Sequence, residues 1–169
     1  MIKVGLIGLG RTGKHIASEI LEQNNMELVA AICSPNSEKR GMTLGNFMGD
    51  KENPVVITSS EELKETIFKT KPDVIVDFSI PSATMENSRL LSSMKVNIVI
   101  GTTGFTDDDL KELRSLPSKY HNGIVYAPNI TLGVNTLMLL SNIAANILSN
   151  YDFQITETHH KHKKDAPSG

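Results

Sequence analysis

Ile2-Lys3-Val4-Gly5-Leu6-Ile7-Gly8-Leu9-Gly10-Arg11-Thr12-Gly13 decides the fold. Residues 2–7 form a short apolar run that ends in glycine, the pattern of a strand buried on both faces. Gly8, Gly10 and Gly13 then spell G-x-G-x-x-G. From Arg11 to about Gln23, Ile16, Ala17, Ile20 and Leu21 recur at helical spacing. A glycine triplet between strand and helix has a physical reading at each position. The first glycine permits the tight turn, the second lets backbone approach a pyrophosphate, and the third lets the helix pack close to the strand. The free N–H groups and positive dipole end of that helix would meet the phosphates. The alternative is a plain strand–helix turn, and the strand–helix context favours dinucleotide binding.

The alternation continues outward from this unit. Strand patterns fall at 28–32, 55–58, 73–78, 96–100 and 123–127. Helix patterns fall at 61–69, opened by Ser59 or Ser60, at 81–93, with Pro81 in its first turn, and at 106–116. In the last of these, Thr106 and Asp109 resemble a weakened capping box. Pro35, Gly41, Gly45, Gly49 and Asn53 mark residues 34–53 as a long loop with one helical turn. Apolar strands alternating with helices predict an α/β fold, a doubly wound parallel sheet of Rossmann-like type. This domain is expected to span 1–128. Beyond it, Leu137, Leu140, Ile143, Ala144, Ile147 and Leu148 mark an amphipathic helix, and 153–158 reads as a last strand. Residues 129–169 are too few for a core of their own. They read as the beginning of a second, α+β domain that stays incomplete at the end of the sequence.

Composition excludes several classes. Of the 169 residues, 39% are apolar and 21% charged, ordinary for a soluble globular protein. A net charge of −2 gives no global field toward nucleic acid or a membrane. The single cysteine, Cys33, rules out an internal disulfide and fits a reducing compartment. No secretory signal is visible, and no apolar run is long enough to span a bilayer. A cytoplasmic location is expected.

Further motifs cluster at strand ends. The acidic residue usual after the second strand of such a fold is missing; Cys33, Ser34 and Pro35 occupy its place. Ser34, Ser37, Lys39 and Arg40 suit a 2′-phosphate instead, which tilts the cofactor toward NADP(H). The alternative is that Lys39 and Arg40 are solvated loop charges. Gly101-Thr102-Thr103-Gly104, Asp77-Phe78-Ser79 and Ala127-Pro128-Asn129 each follow or end a strand; each alone is a plain strand-to-helix turn, and the three together favour one crevice on its nicotinamide side. The sequence closes on His159-His160-Lys161-His162-Lys163-Lys164-Asp165-Ala166-Pro167-Ser168-Gly169. Three readings fit this cluster. It is an acid and anion site, with His159 or His160 donating a proton and Lys163 meeting a carboxylate. It is a metal site of His159, His160, His162 and Asp165, which the flanking lysines oppose. Or it is a solvated basic loop.

Three stretches together resemble 4-hydroxy-tetrahydrodipicolinate reductase, also called dihydrodipicolinate reductase. They are Val99-Ile100-Gly101-Thr102-Thr103-Gly104-Phe105, then Ala127-Pro128-Asn129 with Gly133-Val134-Asn135, then Glu157-Thr158-His159 through Gly169. The last is similar to the family signature E-x-H-H-x-x-K-x-D-A-P-S-G-T-A. The resemblance implies roles residue by residue. His159 is the proton donor and Lys163 the catalytic lysine beside it. His160, Ser168 and Gly169 hold substrate carboxylates. Gly8, Leu9, Gly10, Arg11, Thr12, Gly13, Ser34, Lys39, Gly101, Thr102, Thr103, Ala127, Pro128, Asn129 and Ile130 line the cofactor. The family reduces a cyclic dihydrodipicolinate-type dicarboxylate with NADPH or NADH in lysine and diaminopimelate biosynthesis. It uses no metal and forms a homotetramer through its C-terminal, substrate and tetramerisation domain.

This chain departs from the family pattern in three ways. Its first loop is one residue shorter than G-x-x-G-R-M-G and carries Thr12 for methionine. Cys33 or Ser34 replaces the acidic residue, and family members continue well past Ser-Gly. The expected function is hydride transfer from NAD(P)H to that substrate. The rivals are a dinucleotide-binding fragment without turnover and a Rossmann oxidoreductase acting on another substrate.

Overall fold

The computed structural model describes residues 1–49, 53–156 and 158. Six strands, β1 (Ile2–Ile7), β2 (Met26–Cys33), β3 (Ile57–Ser59), β4 (Val74–Asp77), β5 (Asn97–Ile100) and β6 (Ile124–Tyr126), form one sheet. Its order is β3-β2-β1-β4-β5-β6, with every strand pair parallel. Helices α1 (Arg11–Glu22), α2 (Leu44–Met48), α3 (Leu63–Thr70), α4 (Pro81–Ser93) and α5 (Asp107–Tyr120) fill the crossovers, and α6 (Leu132–Ile147) follows the last strand. This is the expected doubly wound Rossmann-like sheet.

Both faces of the sheet are covered, so β1 is apolar at consecutive positions. Val4 and Leu6 pack with Ala17, Ile20, Leu28, Ala31 and Leu44 toward α1 and α2. Ile7 packs with Ile32, Leu63, Ile67, Leu91, Ile98 and Leu113 toward α3, α4 and α5. The ladder pairs Val4 with Leu28 but Gly5 with Ala30. The extra residue, Val29, reverses the alternation, so Leu28 and Ala31 share a face despite their odd spacing.

Local chemistry sets the helix boundaries. Ser59 and Glu62 form a complete capping box ahead of α3, and Thr106 and Asp109 form another ahead of α5. The box at Thr106 is fully made, since the backbone N–H of Thr106 donates to Asp109 at 2.9 Å. Helix α5 runs past the expected end at 116, through Pro117 to Tyr120. A proline in the last turn removes one helix hydrogen bond and already has helical φ, so the helix continues until His121 turns left-handed.

Two expectations at the far end fare differently. Helix α6 forms, starting earlier than expected, but none of its residues is buried. Leu137, Met138, Leu139 and Leu140 are all exposed. The strand expected at 153–158 is not seen at 153–156 or 158. A strand needs a ladder partner, and no other described residue pairs with this stretch; Phe153 and Ile155 are exposed. No helix among the described residues is long and apolar enough to cross a membrane.

Candidate functional site

Strand register places the site. Ile7, Asp77, Ile100 and Tyr126 are paired in sequence across β1, β4, β5 and β6. The turns after these residues therefore leave the sheet along one edge. Between β1 and β4 the order of the strands reverses, and a parallel sheet opens a crevice there. A cleft of about 510 Å³ lies at that point. Of the expected cofactor residues it is lined by Gly8, Leu9, Gly10, Ser34 and Lys39, together with Ser37.

The three glycines differ in their surroundings. Gly8 has φ +93°, and a Cβ there would meet the Phe78 carbonyl group at 2.5 Å. A Cβ on Gly13 would overlap the Gly8 carbonyl oxygen, so this glycine seats α1 on the loop. Gly10, the N-cap of α1, would direct a Cβ into open space, with nothing within 4 Å. No side chain caps this helix end. Arg11 and Thr12 start the helix with exposed side chains. The result is a bare, positively polarised helix end behind an open approach, which fits a phosphate group.

On the β2 side the two basic residues part company. The Lys39 ammonium donates to the Leu9 carbonyl at 2.5 Å and stands 5.1 Å from the centre of the Phe47 ring. Lys14 approaches the same ring at 5.4 Å. Arg40 points elsewhere. It donates to Glu62 at 2.8 Å and lies 3.6 Å from Glu61. Hydrogen bonds from the Ser59 N–H and from Arg40 hold the Glu62 carboxyl below the usual range. Of the pair expected near a 2′-phosphate, Lys39 faces the cleft and Arg40 does not.

On the β4 side a buried carboxylate sits beneath the cleft. Asp77 is 0% exposed. Its Oδ1 accepts the Ser79 backbone N–H at 2.8 Å and the Ser79 hydroxyl at 2.6 Å. Its Oδ2 accepts Asn87 Nδ2 at 3.2 Å. Thr84 Oγ1 lies 3.3 Å from Oδ1 and 2.9 Å from Thr102 Oγ1, its one proton shared between them. Burial pushes the Asp77 carboxyl up, and the hydrogen bonds from Ser79, Asn87 and Thr84 oppose this.

The native state holds the Asp77 proton more tightly than the unfolded chain, so the group's contribution falls as pH rises from the ordinary carboxylate range through the raised native value. In urea unfolding across that window, the stability of the wild type relative to Asp77→Asn is expected to decline with rising pH. A difference that stays flat or grows would contradict the assignment.

The remaining expected residues occupy neighbouring strand ends, outside the lining of this cleft. A Cβ on Gly101 would overlap the Phe78 ring. Thr102 is buried and Thr103 half-buried. Ala127 donates its N–H to the Ile100 carbonyl at 2.8 Å. Pro128 is half-buried. The Asn129 side chain accepts the Thr131 N–H at 2.9 Å, and Ile130 is exposed. His159, His160, Lys163, Ser168 and Gly169 lie outside the described residues, as do His162 and Asp165 of the metal alternative. Sequence reading missed Ser60, Ile80, Ala83 and Asn87, which also line the cleft. The signal was present: Ile80, Ala83 and Asn87 share one face of the first turns of α4 at helical spacing.

Comparison with known proteins agrees along the whole chain. The family described as "Dihydrodipicolinate reductase, N-terminus" matches residues 2–130, and "Dihydrodipicolinate reductase, C-terminus" matches residues 133–169. The 4-hydroxy-tetrahydrodipicolinate reductase of Methanothermobacter thermautotrophicus is 42% identical over 170 residues, covering 100% of this chain and 62% of that protein. Its counterpart in Methanocaldococcus jannaschii is 39% identical over the same shares of both chains. A solved dihydrodipicolinate reductase from Paenisporosarcina sp. TG-14, with dipicolinate bound, superposes with a TM-score of 0.73 at 31% identity, over 100% of this chain and 62% of that one. The chain thus spans about three fifths of the length of these relatives. With both halves of the sequence matched in order and the fold in agreement, the chain belongs to the dihydrodipicolinate reductase family.

Proposed function

We propose that this chain carries the dinucleotide-binding domain, residues 1–128, and the opening of the substrate domain, residues 129–169, of a 4-hydroxy-tetrahydrodipicolinate reductase. The reaction is hydride transfer from NADPH or NADH to a cyclic dihydrodipicolinate-type dicarboxylate in lysine and diaminopimelate biosynthesis. One observation carries this reading: in a member of this family, an uncapped helix N-terminus stands behind the open space at Gly10, at the point where the sheet order reverses. The two family matches also meet between residues 130 and 133, close to the proposed boundary.

The residues divide the task. Gly8 to Gly13 hold the pyrophosphate. Ser34 and Lys39 meet the adenosine ribose. Gly101 to Thr103 and Ala127 to Ile130 border the nicotinamide. When bound, the reduced nicotinamide supplies the hydride. His159 then donates the proton, Lys163 stabilises developing charge, and His160, Ser168 and Gly169 hold the carboxylates. A relative solved with dipicolinate, a ring dicarboxylate, supports this substrate class.

The position of Lys39 favours NADPH. Its ammonium lies at the cleft, 2.5 Å from the Leu9 carbonyl, and the strand end before it has Cys33 and Ser34 where an acidic residue would repel a 2′-phosphate. A charge-assisted hydrogen bond to phosphate is worth about 1.5–3 kcal/mol. Lys39→Glu is therefore expected to weaken NADPH by about 10- to 100-fold and NADH far less, in parallel fluorescence titrations. Equal losses would remove Lys39 from cofactor choice. The function itself is tested by following NADPH absorbance with enzymatically generated substrate, alongside a binding titration. Binding together with turnover is the expected result, and absence of both overturns the reading.

A further inference from the structure

We propose that Asp77 is a positioning residue for the nicotinamide side of the cleft: its buried carboxylate fixes the turns after β4 and β5 and the first turns of α4 in one arrangement. The proposal rests on the dinucleotide reading of the site. Asp77 is the one charged side chain buried among the described residues, and no cation accompanies it there. A carboxylate at the end of an interior strand costs stability, and an apolar residue would pack there more cheaply. Departures of this kind from the local rule concentrate at functional sites.

What the carboxylate gathers gives it a role. Its donors come from two segments, and one of them carries the link to a third. Ser79 belongs to the turn after β4, Asn87 and Thr84 belong to α4, and Thr84 passes the link to Thr102 after β5. Two of these donors, Ser79 and Asn87, themselves line the cleft. The Thr102 hydroxyl also reaches the Asp77 carbonyl at 3.4 Å, and the Gly101 N–H donates to the same carbonyl at 3.0 Å. The β5 turn is thus tied to Asp77 through both backbone and side chain. Removing the charge loosens the Ser79 and Asn87 wall and the β5 turn beside it, while the Gly8–Gly13 loop keeps an anchor of its own, the Gly8 N–H on the Ile32 carbonyl at 3.0 Å.

The test compares two probes on the 169-residue chain. NADPH carries the nicotinamide; 2′-phospho-ADP-ribose lacks it but keeps the adenosine and pyrophosphate. Asp77→Asn is expected to weaken NADPH about tenfold, the effect of one hydrogen bond's worth of disorder. Its affinity for 2′-phospho-ADP-ribose is expected to be unchanged, and the fluorescence enhancement of bound NADPH to be reduced. A merely structural role would weaken both probes together. Where Asp77→Asn fails to fold, Thr84→Val decides; it is similar in volume and cuts the link to Thr102. Equal loss for both probes, or no loss for NADPH, overturns the proposal and leaves dinucleotide binding intact. A wild-type chain that binds neither probe defeats the dinucleotide reading itself.

Discussion

Gly13→Ala is expected to destabilise the chain by about 3 kcal/mol and to abolish measurable NADPH binding. Helix propensity argues the other way: alanine inside a helix is worth about 1 kcal/mol over glycine. The geometry decides between them. A Cβ at position 13 overlaps the Gly8 carbonyl oxygen, which is backbone and not the tip of a flexible side chain. Gly8 cannot retreat. Its N–H is bonded to the Ile32 carbonyl, and the Phe78 carbonyl group lies 2.5 Å from where a Cβ on it would stand. Relief therefore requires α1 to tilt away from the sheet, which opens the contacts of Ala17 and Ile20 and shifts the N-terminal end proposed to meet the phosphates. Gly10→Ala is the internal control. Its Cβ meets nothing, and its backbone, at φ −77° and ψ −163°, suits any residue. Its stability cost is under about 1 kcal/mol, the loss of a favourable N-cap type, while the methyl stands in the approach proposed for the pyrophosphate. Chemical denaturation and NADPH titration of both variants check this. A Gly13→Ala chain as stable as the wild type would remove close helix–loop packing as the reason for the third glycine.

The legible part of this fold is the part whose signal is local. Residues 2–13 state strand, turn and helix in consecutive positions, and each glycine's job follows from where it falls. The helix start at Ser59 or Ser60 and the box at Thr106 are read within four residues. The illegible part depends on contacts across long stretches of sequence. Thr102 lies 25 residues from Asp77, and only the pairing of β4 with β5 brings them together. Lys39 and Arg40 are adjacent and chemically alike. Which one meets the cleft depends on the path of the loop, where Gly41 takes φ +82° and bonds the Ile57 carbonyl. The alternation at 153–158 suits a strand, but a strand is a property of two segments, and its partner was never in the pattern. The Asp77 network was hidden for a further reason: Asp77-Phe78-Ser79 reads as a strand end facing the crevice, whereas the register seats the aspartate between Ile7 and Ile100.

His159→Gln and Lys163→Ala are each expected to lower turnover by about 10²–10⁴-fold, the usual contribution of a positioned proton donor, with NADPH affinity unchanged. The two variants should differ in detail. Glutamine cannot deliver a proton, so His159→Gln is expected to lose kcat and to flatten whatever pH dependence the proton donor gives the wild-type rate. Lys163→Ala removes a charge felt by the bound dicarboxylate, so its loss divides between kcat and KM and keeps the wild-type pH profile. The split separates the acid-and-anion reading of the cluster from the two others. A metal site of His159, His160, His162 and Asp165 would make turnover sensitive to a chelator and leave Lys163→Ala nearly silent. A solvated basic loop would leave both variants with wild-type rates, and that outcome would remove His159 and Lys163 from the chemistry.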